Sequence, residues 1–438
     1  MPYYVRHYFQ PDFNHNSIRP VVMADGHTYA HFLGYVQSVV AGQVLAELVY
    51  LDSLPEGCVP QDAPLPDIDP EELPPTLESA IPVQKAISEQ EGEKQDYKTF
   101  LSRIGEMDPR FIYNNPVFPL GPNCERDPEN PNRILSRING FCFYHQGLIT
   151  VKRMLNVRQD VNFRTGNIIF AGDILVHGDV YPGFRITGRN LRIKGRIDGG
   201  ILRAGGTVVA ESGIKGSPKA EINAQNTVRL ANCEHARIIT SGNCIIDGNC
   251  MHSDLFVGGS VIVKGRLQGG NVHSNGLVYV KEQLGSSQGA ATRIALGYNP
   301  LDFLHLQELN AMQEDQSQRL QHHNARVRKG PHFAAESAPF QELATSKLAV
   351  IKTMQHAAWR KFSADMRRAY RTRVIVPGIV HPGVEISIGR AYSKIIDEQR
   401  DVFYCLHEDE VEYGFPALSK NYSFHADPAP EAGESDAS

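Results

Sequence analysis

Through the middle of this chain an apolar residue returns every seventeen positions, in three separate columns. The first column holds Val180, Ile197 and Ile214, steps nineteen to Cys233, then continues as Cys250, Leu267 and Leu284. The second runs Ile174, Leu191, Val208, Val228, Cys244, Val261 and Val278, and the third Ile186, Leu202, Ile222, Ile238, Leu255 and Val272. Repetition at one period marks an array of stacked, equivalent units. Seventeen residues are too few for a helix pair. They suit one coil of a β-solenoid, where each inward side chain rests on its equivalent in the next coil. Within a coil the inward positions step by five or six, as in Val261, Leu267, Val272 and Val278. That spacing makes three short strands and three corners, so a coil of at most ~58 Å extended length closes into a triangular prism. Neighbouring coils then lie ~4.8 Å apart. Gly, Asn and Asp fill corners such as Gly178-Asp179, Gly242-Asn243 and Gly258-Gly259, where positive φ is expected.

The rest of the 438 residues is arranged around this stem. Residues 1–133 mix strand and helix patterns. They are broken by a Pro-rich acidic stretch at 55–75 with Asp62, Asp67, Asp69, Glu71 and Glu72, which reads as a linker or exposed loop. Residues 76–105 read as helix. The solenoid is assigned to 134–299 and pauses at Gly297-Tyr298-Asn299-Pro300. Residues 300–372 read as an antiparallel helical hairpin, a coiled coil ~40 Å long, broken at Gly330-Pro331. Its second arm carries Ile351, Met354, Ala358, Phe362, Met366 and Ala369 at steps of three and four, one helical stripe. The first arm has a thinner stripe of Leu306, Leu309, Leu320 and Val327, interrupted by Gln313 and Gln316. Residues 373–416 return to the repeat: shifted by 200, Val376, Gly378, Val380 and Ile386 match Val176, Gly178, Val180 and Ile186. This segment completes or caps the solenoid, and 417–438 form a polar tail expected to be disordered. The expected fold is therefore mainly β, a parallel β-helix solenoid with an inserted antiparallel helical hairpin and a mixed α/β N-terminal domain.

Charge and cysteine usage narrow the function classes. A formal net charge of -5 offers no whole-chain attraction to nucleic acid. Seven Cys, with no short-spaced framework, read as free thiols in a reducing compartment. The opening MPYYVRHYFQPDF lacks the pattern of a signal peptide, and no apolar run reaches the length of a membrane span. A soluble cytoplasmic protein is expected.

Four residues, Cys233, His235, Cys250 and His252, form two Cys-x-His words one coil apart, a ligand set of the kind zinc takes. The competing reading is stronger. Both cysteines occupy an apolar column, where a free Cys is a small filler. The histidines fall where other coils place Pro182, Gly199, Gly216 and Gly269, and the short Cys-x2-Cys spacing of structural zinc is missing. Asp173, Asp179, Asp198 and Asp247 follow the turn pattern and do not stand out as catalytic carboxylates. No phosphate-binding loop, hydrolase or Rossmann word is found, so neither catalytic residues nor a cofactor nor a metal is expected. The second hairpin arm is basic, with Lys347, Lys352, Arg360, Lys361, Arg367, Arg368, Arg371 and Arg373. Of these, Arg360, Lys361, Arg367 and Arg368 are the candidates for contact with an acidic partner or anionic lipid headgroups.

The stretches Val161-Asn162-Phe163-Arg164-Thr165-Gly166-Asn167-Ile168 and GDILVHGDVYPGF at 172–184 resemble the flagellar assembly protein A family. Residues 284–286, 292–294 and Gly297, and the order of regions, carry the same resemblance, which covers 135–415. It implies a right-handed parallel β-helix and a non-enzymatic role in building or placing bacterial flagella. The implied partners are proteins of the flagellar or cell-envelope machinery, met in the cytoplasm, at the inner membrane surface or at the cell pole. The GDVYPG coil also resembles the C-terminal domain of the division inhibitor MinC, a related β-helix that dimerises. A homodimer and a role in division or envelope organisation are the alternatives this raises, as is polymerisation of the bactofilin kind. A hexapeptide acyltransferase is disfavoured, because its prism needs eighteen residues per coil.

Overall fold

The computed structural model describes residues 2–12, 21–22, 28–29, 37–54, 58–61, 107–115, 118–145, 147–328 and 331–415. The chain forms two compact units, Met1–Ala231 and Asn232–Ser438. Its fold is mainly β, a parallel β-solenoid with about 17 residues per coil, an N-terminal antiparallel region and a helical hairpin. The acidic stretch at 62–75, the helix expected over 76–105 and the tail at 417–438 lie outside the described residues.

In the first unit, the strands Ile112–Tyr113, Tyr3–His7, Val44–Tyr50, Arg133–Ser136 and Cys124–Arg126 lie side by side in that order, all antiparallel. They enclose Tyr3, Val5, Leu45, Ile112, Ile134 and Ile149. A second small sheet holds Leu148–Lys152, Gly140–His145 and Ser38–Val39. Residues 134–152 were assigned to the solenoid, but they belong to these antiparallel sheets. The physical reason is the connection between Gly140–His145 and Leu148–Lys152. His145 pairs with Leu148, and Gly147 sits at φ 86, so a two-residue link reverses the chain. Such a link joins only antiparallel strands.

Parallel stacking starts where Met154–Val157 meets Asp173–Val176. From there each column found by periodicity is a line of paired residues. In the first unit Leu155, Ile174, Leu191, Val208 and Val228 stack in register. So do Ile168, Ile186, Leu202 and Ile222, and Val161, Val180, Ile197 and Ile214. In the second unit the lines are Cys244, Val261, Val278 and Val374; Ile238, Leu255, Val272, Ile294 and Ile386; and Cys233, Cys250, Leu267, Leu284 and Val380. Every one of these side chains is buried. At ~25 cal/mol per Å² of apolar surface, this stacking is the main favourable contribution of each coil.

The corners differ from expectation. Gly178, Gly258 and Gly259 do not take positive φ. Their role is close approach. A Cβ on Gly259 would lie 2.3 Å from Asn243 Oδ1, and that oxygen accepts the backbone N–H of Ser260 at 2.8 Å. The device repeats. Asn190 Oδ1 accepts from Thr207 N, Asn249 Oδ1 from Arg266 N, Asp179 Oδ1 from Arg196 N and Ser260 Oγ from Leu277 N. Each corner side chain thus satisfies a backbone donor one coil on, which an open turn would leave to solvent. Left-handed backbone is found at a different corner, at Gly199, Gly269, His235 and His252.

The hairpin is an excursion between coils. Asn299 caps helix α1, Pro300–Val327, by accepting from Leu301 N at 3.1 Å, with Pro300 at the first helical position. Helix α2 spans Pro331–Asp365 and passes through Pro339. The chain then rejoins the stem. Arg373–Val380 pairs parallel with the coil that holds Val278 and Leu284, and Glu385–Ile388 with Thr292–Leu296. Gln399–His407 next pairs antiparallel with Arg373–Val380, and Glu410–Gly414 with it. Antiparallel strands here replace a further parallel coil, which covers an edge that would otherwise template pairing with other chains.

Candidate partner-binding surface

Four sequence candidates cluster near one corner. Cys233 pairs with Cys250, and both point into the stem, fully buried. His235 and His252 point outward and are exposed, their rings stacked at 5.1 Å and 13°. The wall of the solenoid separates the two pairs, so the four side chains do not converge. The histidines sit at φ 49 and 47, and the next coil carries Gly269 at φ 68 in the same place. His is among the side chains that tolerate this region. The hydrogen bond from Cys233, and then burial, raise the Cys250 thiol well above its usual range, and burial raises Cys244. Such thiols stay protonated and act as apolar filling. Among the described residues no group of three or more His, Cys, Asp or Glu is placed to hold a metal.

Three of the corner carboxylates, Asp173, Asp179 and Asp247, are engaged in structure. Asp173 Oδ1 accepts from Asn190 Nδ2 at 2.8 Å, Asp179 accepts from Arg196 N, and Asp247 pairs with Lys264 at 2.7 Å.

The hairpin gathers the remaining features. Its root is an aromatic knot: the His273 ring lies between Phe256, 4.8 Å away and parallel, and Phe303 at 5.5 Å. His273 Nδ1 and Tyr298 Oη are 2.6 Å apart, and Tyr298 packs on Phe362. Burial lowers the His273 pKa, which favours the neutral ring in this stack. Asp302, nearly buried on α1, receives Lys361 Nζ from α2 at 2.8 Å.

Between the helices, the apolar seam is narrow and partly polar. Leu306, Leu309, Ala344, Ile351 and Phe362 are buried. Gln355 Nε2 donates to Asn310 and Gln313, and Gln341 Nε2 to Asn324. These cross-links explain why the first arm carries glutamines within its stripe. Met354, expected in the buried stripe, is 45% exposed. It belongs to a different line on α2, with Phe340, Leu343, Lys347 and Val350, at steps of three and four. The apolar members of that line are all about half exposed.

Of the basic candidates, Arg360 is exposed. Lys361 is tied to Asp302 and locks the two arms together. The side chains of Arg367 and Arg368 lie outside the described residues. A groove on one side of the hairpin is lined by Gln316, Arg319 and His323 from α1 with Phe340, Leu343 and Lys347 from α2. The period-three-and-four signal for this line was present in the sequence. It was masked because Met354 also fits, by spacing, with Ile351 and Ala358.

The stem, with the hairpin inserted between its coils, matches a family described as the Flagellar Assembly Protein A beta solenoid domain, over residues 153–411. That is more than half of the chain. The chain belongs to this family. No curated protein and no solved structure gave a match to the chain. The Flagellar Assembly Protein A match spans the described coils, both hairpin helices and the returning strands. Among the described residues no helix is long and apolar enough to cross a membrane.

Proposed function

We propose that the protein is a non-enzymatic scaffold for the assembly or placement of bacterial flagella, working through protein contacts made by its hairpin. The observation that carries this reading is the family match across 153–411, joined to a hairpin that exposes Phe340, Leu343, Val350 and Met354 to solvent. A solenoid interior filled by one layer of side chains offers a rigid stem. A side arm fixed at its root by stacked rings can hold a partner at a set place relative to that stem. The partners are proteins of the flagellar machinery, in the cytoplasm or at the inner face of the envelope.

The test is genetic and direct. Cells lacking the gene are expected to swim poorly or to carry misplaced or missing flagella, and a copy with the whole hairpin replaced by a short linker should not restore them. Normal swimming and normal flagellar number in the deletion strain would overturn the reading.

A further inference from the structure

The hairpin joins the stem with almost no slack. Residues 297–299 alone separate the strand Thr292–Leu296 from α1. At the other end α2 continues as the 3-10 turn Met366–Arg371, and only Thr372 separates that turn from the strand Arg373–Val380. Neither junction is long enough to act as a flexible linker.

Each end also has its own seat on the stem. At the α1 end the seat is a stack that starts on the stem. Arg237 lies over Phe256, Phe256 lies parallel to His273, and Phe303 of α1 covers His273. At the α2 end Ala369, 1% exposed, enters a notch between two glycines. Gly297 and Gly389 directly follow Leu296 and Ile388, which are paired across neighbouring coils. Both take positive φ, 90 and 62, which glycine adopts without a Cβ penalty. A Cβ on Gly297 would lie 2.7 Å from the Ala369 Cβ, and one on Gly389 would lie 3.1 Å from it. Thr372, buried, then donates to the Ala369 carbonyl through both its backbone N–H and its hydroxyl. The Tyr370 hydroxyl donates to Asp409, in the turn between the last two strands.

We infer that the hairpin is a rigid arm clamped to the stem at two seats, and that its fixed direction is what places a partner. The second half rests on the scaffold reading above. Parts of a chain joined through small polar contacts move relative to each other by default. Here one seat is a stack of rings and the other a close-packed apolar notch, and such packing has few alternative arrangements. A single seat would leave a pivot. The second seat is built from different coils and opposes that pivot.

The test uses the full-length protein with nitroxide labels on unnatural side chains, so that the native cysteines stay untouched. One label replaces Arg266, exposed on the stem, and the other Gln321, exposed on α1. Pulsed electron paramagnetic resonance then reads the distance between them. The wild type should give one narrow distribution. Ala369→Leu overfills the notch and Phe303→Ala removes a ring from the stack, and each should broaden or split the distribution. Ala369→Ser is small enough to keep it narrow. Retained far-ultraviolet dichroism shows that a variant has folded, and where one has not, the wild-type distribution decides alone. A broad or split wild-type distribution, or a narrow one that both folded seat variants keep, would overturn the inference.

Swimming tests the direction. A short Gly-Ser insert at each junction keeps the surface of the hairpin and frees its direction. Cells with this variant should swim as poorly as cells without the hairpin. Normal swimming with the freed arm would remove the role of direction and leave the scaffold reading standing, since that reading fails only if the deletion strain itself swims normally.

Discussion

At the corners of the stem, single side chains act across coils. Asn243 reaches over Gly259 to accept the N–H of Ser260, so the two positions form one device. Gly259→Ala would force a Cβ to 2.3 Å from the Asn243 oxygen and should cost about 1–3 kcal/mol, as overpacking does. Asn243→Ala removes the acceptor and should cost ~1 kcal/mol. Differential scanning calorimetry would read both as lowered melting temperatures, and the pair should be less than additive. The apolar column makes a second prediction. Cys250 stacks between Cys233 and Leu267, so Cys250→Val should melt near the wild type. Cys250→Ser buries a hydroxyl and should lose about 1–3 kcal/mol. If both substitutions destabilised equally, the filler role would fail.

His7 gives the clearest dependence on pH. It is buried among Phe9, Phe111 and Tyr144, and burial pushes its pKa down from 6.5 to about 3. In the unfolded chain it takes up a proton as pH falls below its ordinary value, while in the folded sheet it stays neutral. The stability it contributes is complete above about pH 6.5 and is lost progressively as pH falls toward 3. Melting temperatures of the wild type should fall over that window, and His7→Phe should flatten the fall.

Among elements, the hairpin is held at its root by aromatic rings and further out by polar cross-links. Beyond the root, Gln355 and Gln341 bond across, whereas the root packs Phe256, His273, Phe303, Tyr298 and Phe362 together. Phe362→Ala should therefore cost roughly 3–5 kcal/mol as a core truncation does. By contrast Gln355→Ala exchanges an interhelical bond for water and should cost ~1 kcal/mol. Hydrogen exchange would separate them: Phe362→Ala should open the root of α1, and Gln355→Ala only the middle turns.

For the whole molecule, the insertion point matters most. A Cβ on Gly297, just before α1, would lie 2.7 Å from the Ala369 Cβ, just after α2, so the two ends of the hairpin meet. Closing such a short gap costs little chain entropy. Replacing residues 301–370 with a short Gly-Ser linker should leave a folded, β-rich protein whose far-ultraviolet spectrum has lost its helical minima. Precipitation or loss of the β spectrum would show that the hairpin is needed for the stem to fold. Coils couple mainly to their neighbours in a solenoid, and this makes removal of a side arm tolerable.

The repeat of seventeen was enough to place the inward columns from Ile174 onward and the return of the repeat after residue 373, but not the start of the stem. Inward positions of a solenoid are translations of one another, and translation leaves a period in the sequence. The helices were legible for the same reason, through steps of three and four. Other features have no period. The antiparallel pairing of 134–152 depends on a two-residue reversal. The glycines of the corners answer to a carboxamide one coil away, and the outward turn of Met354 depends on how α1 approaches α2. Each is decided by neighbours distant along the chain but close in space, and such neighbours come together only once the coils have stacked.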